Sequence, residues 1–253
     1  MTMFVKGPPD NGPRAKRHVV LDRAPRACGD QRHYDKAMTE AAYPLDADGV
    51  WCQVLPGCTR GRPALFLDRD GVVVEDVDYL HRVEDVAICP RAAAVIAVAN
   101  RSAIPVVLVT NQSGIARGYY GWAEFQAVQQ AITAAVADAG ARFDAVYACP
   151  HHRDGKGALA HPDHPARKPN PGMLRRAGEA LSIDLARSWL VGDRASDIEA
   201  AKRAGLAGAL HVQTGYGRAE SAAALALSRP GFDVRAAASI AGALTLPLFQ
   251  HPR

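Results

Sequence analysis

The chain has 253 residues, 48% of them apolar, and a formal net charge of +4 at pH 7. That length and apolar content suit one large domain or two small ones and exclude a chain disordered throughout. No apolar stretch reaches the ~18 residues of a membrane-spanning helix. The start, Met1 to Pro9, has no apolar core of a secretory signal. Five cysteines with no Cys-x-x-Cys pair speak against a disulfide framework and for a reducing cytoplasm.

The charge is unevenly placed. Residues 1–37 hold eight basic and four acidic side chains, so the whole excess sits there and residues 38–253 are balanced. Pro8, Pro9, Pro13 and Pro25 with Gly7, Gly12 and Gly29 interrupt any apolar period. The segment reads as a disordered basic extension, with Met38 as an alternative start of the protein. Its charge is mild and its aromatics are limited to Phe4 and Tyr34, so no nucleic-acid partner is expected. Residues 38–62 read as a lead-in, and residues 63–250 as the domain that carries the chemistry.

In chain order, residues 64–67 form a short apolar run ending at Asp68, the pattern of a buried strand. Residues 91–101 are helix-like. Residues 106–109 make a second strand, ending in Thr110-Asn111. Trp122, Phe125, Val128, Ile132, Val136 and Ala139 recur at three- and four-residue steps, one face of a helix. Residues 145–148 make a third strand, and 172–182 another helix. Residues 189–191 make a fourth strand, ending in Gly192-Asp193, and a helix runs from Ile198 to Ala204. Residues 210–212 make a fifth strand, and the alanine-rich stretch 221–227 a last helix. Strands alternating with helices predict an α/β fold: a three-layer, Rossmann-like, mainly parallel sheet with helices on both faces. Ligands bind such sheets beyond the carboxyl ends of the strands, where these polar residues fall.

Asp68-Arg69-Asp70-Gly71 puts two carboxylates at the mouth of the first strand, able to share a cation, with one to attack phosphorus and the other to move protons. Thr110-Asn111-Gln112-Ser113-Gly114 offers a hydroxyl and backbone N–H groups to a phosphoryl oxygen. Lys168 supplies a fixed cation. Asp193 is a third carboxylate for Mg²⁺. Asp197, four residues on, is either a further member of that cluster or an acid favoured at the start of a helix. Each motif alone is also what an ordinary turn carries.

Taken in order, Leu67-Asp68-Arg69-Asp70-Gly71, Val109-Thr110-Asn111, Lys168-Pro169 and Val191-Gly192-Asp193 resemble the haloacid dehalogenase-like phosphatases over residues 64 to about 215. The resemblance implies a phosphomonoesterase working through an aspartyl-phosphate. It makes Asp68 the nucleophile, Asp70 the general acid and base, and Thr110 and Lys168 the stabilisers of the phosphoryl oxygens. It gives Mg²⁺ to Asp68, the Asp70 carbonyl and Asp193.

Longer segments are similar to one branch, that of heptose-bisphosphate and histidinol-phosphate phosphatases. They are residues 109–118, residues 167–173, and Asp76 followed by Tyr79-Leu80-His81. The first substrate class is the expectation and the second the alternative. Asp76, Tyr79, Asn111, Gln112, Ser113, Arg117, Arg167 and Arg194 are the expected substrate contacts, the arginines suiting a second phosphate. Arg194 stands where the family usually has lysine. No insertion between the first two motifs is large enough for a cap domain.

The branch also carries a zinc loop, Cys-x-His followed by Cys-x-Cys. Here residues 149–166 keep Cys149 and His151 but have His161 and His164 in place of the second pair, with His152 as a spare. Cysteine with three histidines is a set structural zinc accepts. The expected partner is a small phosphorylated metabolite, with no membrane, and the expected state is a monomer.

Overall fold

The computed structural model describes residues 43–250. The extension 1–37 and the first residues of the lead-in lie outside the described residues.

The apolar runs become strands because both of their faces are buried. Leu65 and Leu67 of β2 (Leu65–Leu67) enter one apolar cluster, while Phe66 between them enters a second. In β3 (Val106–Asn111), Val106 and Leu108 face the first cluster, and Val107 and Val109 the second. This is the two-sided burial that a covered parallel strand requires. With β1 (Trp51–Val54), β4 (Ala145–Cys149), β5 (Trp189–Gly192), β6 (Gly208–Val212) and β7 (Asp233–Ala237) they form one sheet in the order β1-β4-β3-β2-β5-β6-β7. Strand β1 runs antiparallel to β4, and every other pairing is parallel.

Helices cover both faces. α1 (Ala92–Arg101) and α3 (Trp122–Asp138) pack on the first cluster. α4 (Gly172–Leu181), α5 (Ala195–Ala204) and α6 (Gly217–Leu225) pack on the second. A five-residue helix, α2 (Ser113–Arg117), follows β3, and α7 (Pro247–Gln250) closes the described chain. Helix α3 buries Phe125, Val128, Ile132 and Val136 in the expected register, its first turn held by Glu124 accepting from Gly121 N at 2.8 Å. Each such side chain contributes roughly 1.5–3 kcal/mol relative to exposure.

Two strands escape the sequence pattern. β1 lies in the lead-in, so the domain begins before residue 63; Trp51 packs tilted against Trp122 and edge-on to Phe125, with ring centroids 5.6 and 5.1 Å apart, anchoring an edge strand too short to show a period. β7 is the opposite edge, with Asp233 exposed and Arg235 half-buried, so it shows no apolar run. The lead-in is tied down by Asp144, fully buried, which accepts from Thr59 N at 2.6 Å and Val106 N at 2.8 Å. Among the described residues, no helix is long and apolar enough to cross a membrane.

Candidate active site

The carboxyl ends of β2, β3 and β5 deliver Asp68, Thr110 and Asp193 to the same edge of the sheet, because those three strands are neighbours in register. Lys168 arrives from the loop before α4. Asn111 fixes it there with both ends of its amide: Nδ2 donates to the Lys168 carbonyl at 3.0 Å, and Oδ1 accepts from its N–H at 3.1 Å. Lys168 is only 4% exposed, and its ammonium lies among three oxygens: Asp68 Oδ1 at 2.8 Å, Asp197 Oδ1 at 2.7 Å and the Val109 carbonyl at 2.9 Å.

Asp68, Asp193 and Asp197 each offer an oxygen within 4.8 Å of the others, and all three are buried. One ammonium among three carboxylates leaves the cluster short of positive charge. Burial raises the Asp68 pKa well above the usual carboxylate range; Lys168 opposes this, and Asp197 and Asp193 add to it. Burial and then the charge of Asp197 push Asp193 up to about 7. Burial works against the Lys168 ammonium too, but Asp197 and Asp68 outweigh it and hold the group above its ordinary value. Asp193 Oδ2 accepts from Tyr216 N at 2.8 Å, whereas its Oδ1 is buried with no partner. An orphan carboxylate oxygen beside two other carboxylates fits a hard divalent cation. Gly71 makes this approach possible: its φ is +78°, and a Cβ there would lie 2.7 Å from Asp193 Oδ2.

Asp197 satisfies both sequence readings at once. It stands in the first turn of α5, where its Oδ2 accepts from Arg194 N at 3.0 Å, and it pairs with Lys168.

Asp70 stands apart from this cluster, clamped by its neighbour. Arg69 Nε donates to both of its oxygens at 3.1 and 3.2 Å, and Arg69 Nη2 to Oδ1 at 3.0 Å. Gln112 Nε2 donates to Asp70 Oδ2 at 3.1 Å and to Thr110 Oγ1 at 2.8 Å. Its Oε1 accepts from Arg69 Nη2 at 3.2 Å and Tyr120 Oη at 2.5 Å. All four hydrogen-bonding sites of the Gln112 amide are thus filled inside the protein. Gln112 lines the cleft, as expected of a substrate contact, with its amide bonded to Asp70 and Thr110. Thr110 accepts from Gln112 and so keeps its own proton to donate.

Above these groups opens a cleft of about 530 Å³, lined by Asp68, Asp70, Asp76, Tyr79, Thr110, Asn111, Ser113, Arg117, Arg167, Lys168 and Arg194 among others. The structure therefore gathers every expected catalytic and substrate-contact residue at one place, with Gln112 and Asn111 in supporting positions. Among the arginines that line it are the three expected substrate contacts, Arg117, Arg167 and Arg194. Arg167 Nη1 donates to the His151 carbonyl at 3.0 Å, and Arg117 Nη2 lies 3.3 Å from His152 Nε2. Arg69, Tyr120 and Tyr216 had escaped the sequence reading. Arg69 lies inside a motif, yet its role depends on which way its side chain turns; the tyrosines carry no charge or spacing to mark them.

The expected zinc ligands also cluster. Cys149 Sγ is 3.8 Å from His164 Nδ1, and the rings of His161 and His164 are 5.1 Å apart. His151 has a buried Nδ1 without a partner, its Nε2 lying 2.7 Å from the Asp48 carbonyl. Burial, then His151 and His161, push His164 down to about 4, keeping its ring neutral as a ligand must be. The orientation does not match a closed tetrahedral site. The rings of His151 and His164 stack 3.7 Å apart at an angle of 4°. Their in-plane lone pairs therefore run in parallel planes and cannot meet at one ion ~2.0–2.1 Å from each nitrogen. His152 turns away to Arg117, so it is not the alternative ligand.

An acid cluster, a lysine and a clamped second aspartate at the carboxyl edge of a covered parallel sheet define a phosphoryl-transfer hydrolase of the α/β class. Residues 165–239 match a family model described as HAD-hydrolase-like. The chain is 50% identical over 171 residues to the D-glycero-beta-D-manno-heptose-1,7-bisphosphate 7-phosphatase of Mesorhizobium japonicum, covering 67% of this chain and 79% of that protein. It is 41% identical over 165 residues to the enzyme of the same name from Vibrio cholerae, covering 65% and 89%. Among solved structures, a HAD-like phosphatase of Mesorhizobium loti superposes with a TM-score of 0.70 at 46% identity, covering 77% of this chain and 89% of that one. The D,D-heptose 1,7-bisphosphate phosphatase of B. bronchiseptica, in complex with magnesium and phosphate, gives 0.65 at 34%, covering 75% and 99%. The chain belongs to the haloacid dehalogenase-like hydrolases, and within them it is a phosphatase, a hydrolase of phosphoric monoesters.

Proposed function

We propose that this phosphatase removes one phosphate from a heptose 1,7-bisphosphate. The observation that carries the reading is the ring of Arg117, Arg167 and Arg194 around the cleft that ends at Asp68: one phosphate can occupy the acid cluster while another meets an arginine. The activity named for the relatives supports this choice over histidinol phosphate, which has a single phosphate.

In this reading an oxygen of Asp68 attacks phosphorus and forms an acyl phosphate as the bond from phosphorus to the sugar oxygen breaks. Asp70 gives a proton to that leaving oxygen. Asp70 then takes a proton from a water, which attacks phosphorus, releases inorganic phosphate and frees Asp68. Lys168 and the Thr110 hydroxyl hold the transferring oxygens. Asp68, Asp193 and the Asp70 carbonyl are the proposed holders of Mg²⁺. The ion, when bound, supplies the positive charge that lets an anionic phosphate approach anionic Asp68. Arg69 and Gln112 keep Asp70 aimed at the leaving oxygen.

As packed, Cys149, His151, His161 and His164 do not fit the expected structural zinc ion, because the stacked rings of His151 and His164 cannot both reach it. Zinc analysis of the purified protein should find less than one ion in ten molecules; a stoichiometric zinc content would overturn this. The protein acts as a cytoplasmic monomer on a small metabolite, with no role for nucleic acid.

Phosphate release from heptose 1,7-bisphosphate, other sugar bisphosphates and histidinol phosphate tests the function. The heptose compound should have the highest kcat/KM, and Asp68→Asn should abolish turnover. A preference for histidinol phosphate, or turnover that survives Asp68→Asn, would reject the reading.

A further inference from the structure

The turn after β6 places one uncharged residue against three parts of the site at once. Thr214 Oγ1 donates to the Gly71 carbonyl at 2.5 Å, which docks the turn on the nucleophile loop. Tyr216 follows. Its backbone N–H is the donor to Asp193 Oδ2 at 2.8 Å. Its ring lies under the Arg194 guanidinium, 3.6 Å from carbon Cζ to the ring centroid. Its hydroxyl donates to Asp78 Oδ1 at 2.9 Å. Asp78 and Tyr79 have φ of 47° and 54°, a left-handed pair that non-glycine residues hold only under external restraint.

Arg194 has a competing partner. Asp76 Oδ2 lies 3.9 Å from its Nη2, beyond a good hydrogen bond but close enough to capture a mobile guanidinium. A guanidinium held over a tyrosine ring is steadied without a carboxylate partner, so it keeps N–H donors for a phosphate. One held by Asp76 spends those donors on a carboxylate.

We propose that Tyr216 is a positioning residue that holds Arg194 ready for the second phosphate of the substrate and ties it to the loop carrying Asp76, Asp78 and Tyr79. The inference rests on the bisphosphate reading above and deepens it. Tyr216 does not touch the reacting atoms. It sets how strongly the enzyme prefers a bisphosphate over the matching monophosphate.

The test is steady-state kinetics on heptose 1,7-bisphosphate and heptose 7-phosphate with wild type, Tyr216→Phe, Tyr216→Leu, Arg194→Ala and the double variant Tyr216→Leu/Arg194→Ala. Tyr216→Leu should raise KM for the bisphosphate about tenfold with kcat within twofold, and leave KM for the monophosphate within twofold. Tyr216→Phe keeps the ring and should show less than a threefold rise. Arg194→Ala should raise KM for the bisphosphate at least as much as Tyr216→Leu does, and the double variant should be no worse than Arg194→Ala alone. Equal losses on both substrates, or losses that multiply in the double variant, overturn the proposal. So does a wild type that treats the two substrates alike. If wild type does not hydrolyse the heptose bisphosphate, the reading under Proposed function fails. Fructose 1,6-bisphosphate and fructose 6-phosphate then judge Tyr216 by the same ratios, and absence of a bisphosphate preference there overturns it as well.

Discussion

Lys168 Nζ lies 2.8 Å from Asp68 Oδ1 at the buried floor of the cleft, and the same ammonium is shared with Asp197 at 2.7 Å. One cation therefore steadies the proposed nucleophile and a helix-start acid together. Removing one partner of a buried pair costs about 3–5 kcal/mol, because it leaves uncompensated charge. Lys168→Ala should lower Tm by roughly 6–20 °C, at ~2–4 °C per kcal/mol for a domain of this size, and abolish phosphate release. Added Mg²⁺ should recover part of the lost Tm, since it supplies charge to the same carboxylates. Calorimetry with and without Mg²⁺ checks this; a variant as stable as wild type would show that the pair is not a structural support.

Gln112 tests the clamp on Asp70. Gln112→Ala removes two donors and two acceptors from a network that includes Arg69, Asp70, Thr110 and Tyr120. The unpaired groups left behind should lower stability by about 1–3 kcal/mol. If Asp70 loses its aim, kcat should fall about tenfold or more, ~1.4 kcal/mol in the barrier, while KM changes less than twofold. A rise in KM alone would instead make Gln112 a substrate contact only.

Gly215 has φ +53°, and a Cβ on it would fall 2.3 Å from Asp193 Oδ2 and 2.9 Å from the Cα of Gly71. Gly215→Ala must therefore displace the carboxylate or the nucleophile loop. Because a shifted metal ligand typically costs 10–100-fold in metal affinity, the Mg²⁺ concentration for half-maximal activity should rise by about tenfold or more. An activation curve unchanged from wild type would mean that Asp193 does not set the metal affinity.

Cys89 offers a chemical check on the core beneath the site. It is 4% exposed, and burial, reinforced by Glu75, pushes its thiol up to about 12. A raised thiol pKa favours the neutral form, so at pH 8 the reactive thiolate is scarce. Alkylation of the native protein at pH 8 should spare Cys89, and labelling should appear on denaturation. Mass spectrometry of peptides labelled before and after denaturation reads this directly; rapid native labelling would place Cys89 at the surface.

Much of the site was legible because its chemistry is written in short segments at strand ends. Asp68 and Asp70 stand two residues apart, and Thr110 and Asp193 each close an apolar run. The central strands carry apolar runs because both faces are buried. The edge strands β1 and β7 were illegible, since an edge needs neither continuous apolar residues nor a long register. The zinc loop shows a different limit: the sequence supplies ligand types, but the angle between two imidazole rings is set by packing.

By itself the sequence determined the fold class, the aspartates and lysine proposed for catalysis, and the neutrality of the chain beyond residue 37. These depend on residue type and local spacing. Only the tertiary structure decided what each polar group touches. It bonded Gln112 to Asp70, joined Asp197 to Lys168 across separate segments, and brought Tyr216 beneath Arg194 and against Asp193. The reason is physical. A hydrogen bond or an ion pair depends on distances of a few tenths of an ångström between groups far apart in the chain, and only the packed sheet and its loops set those distances.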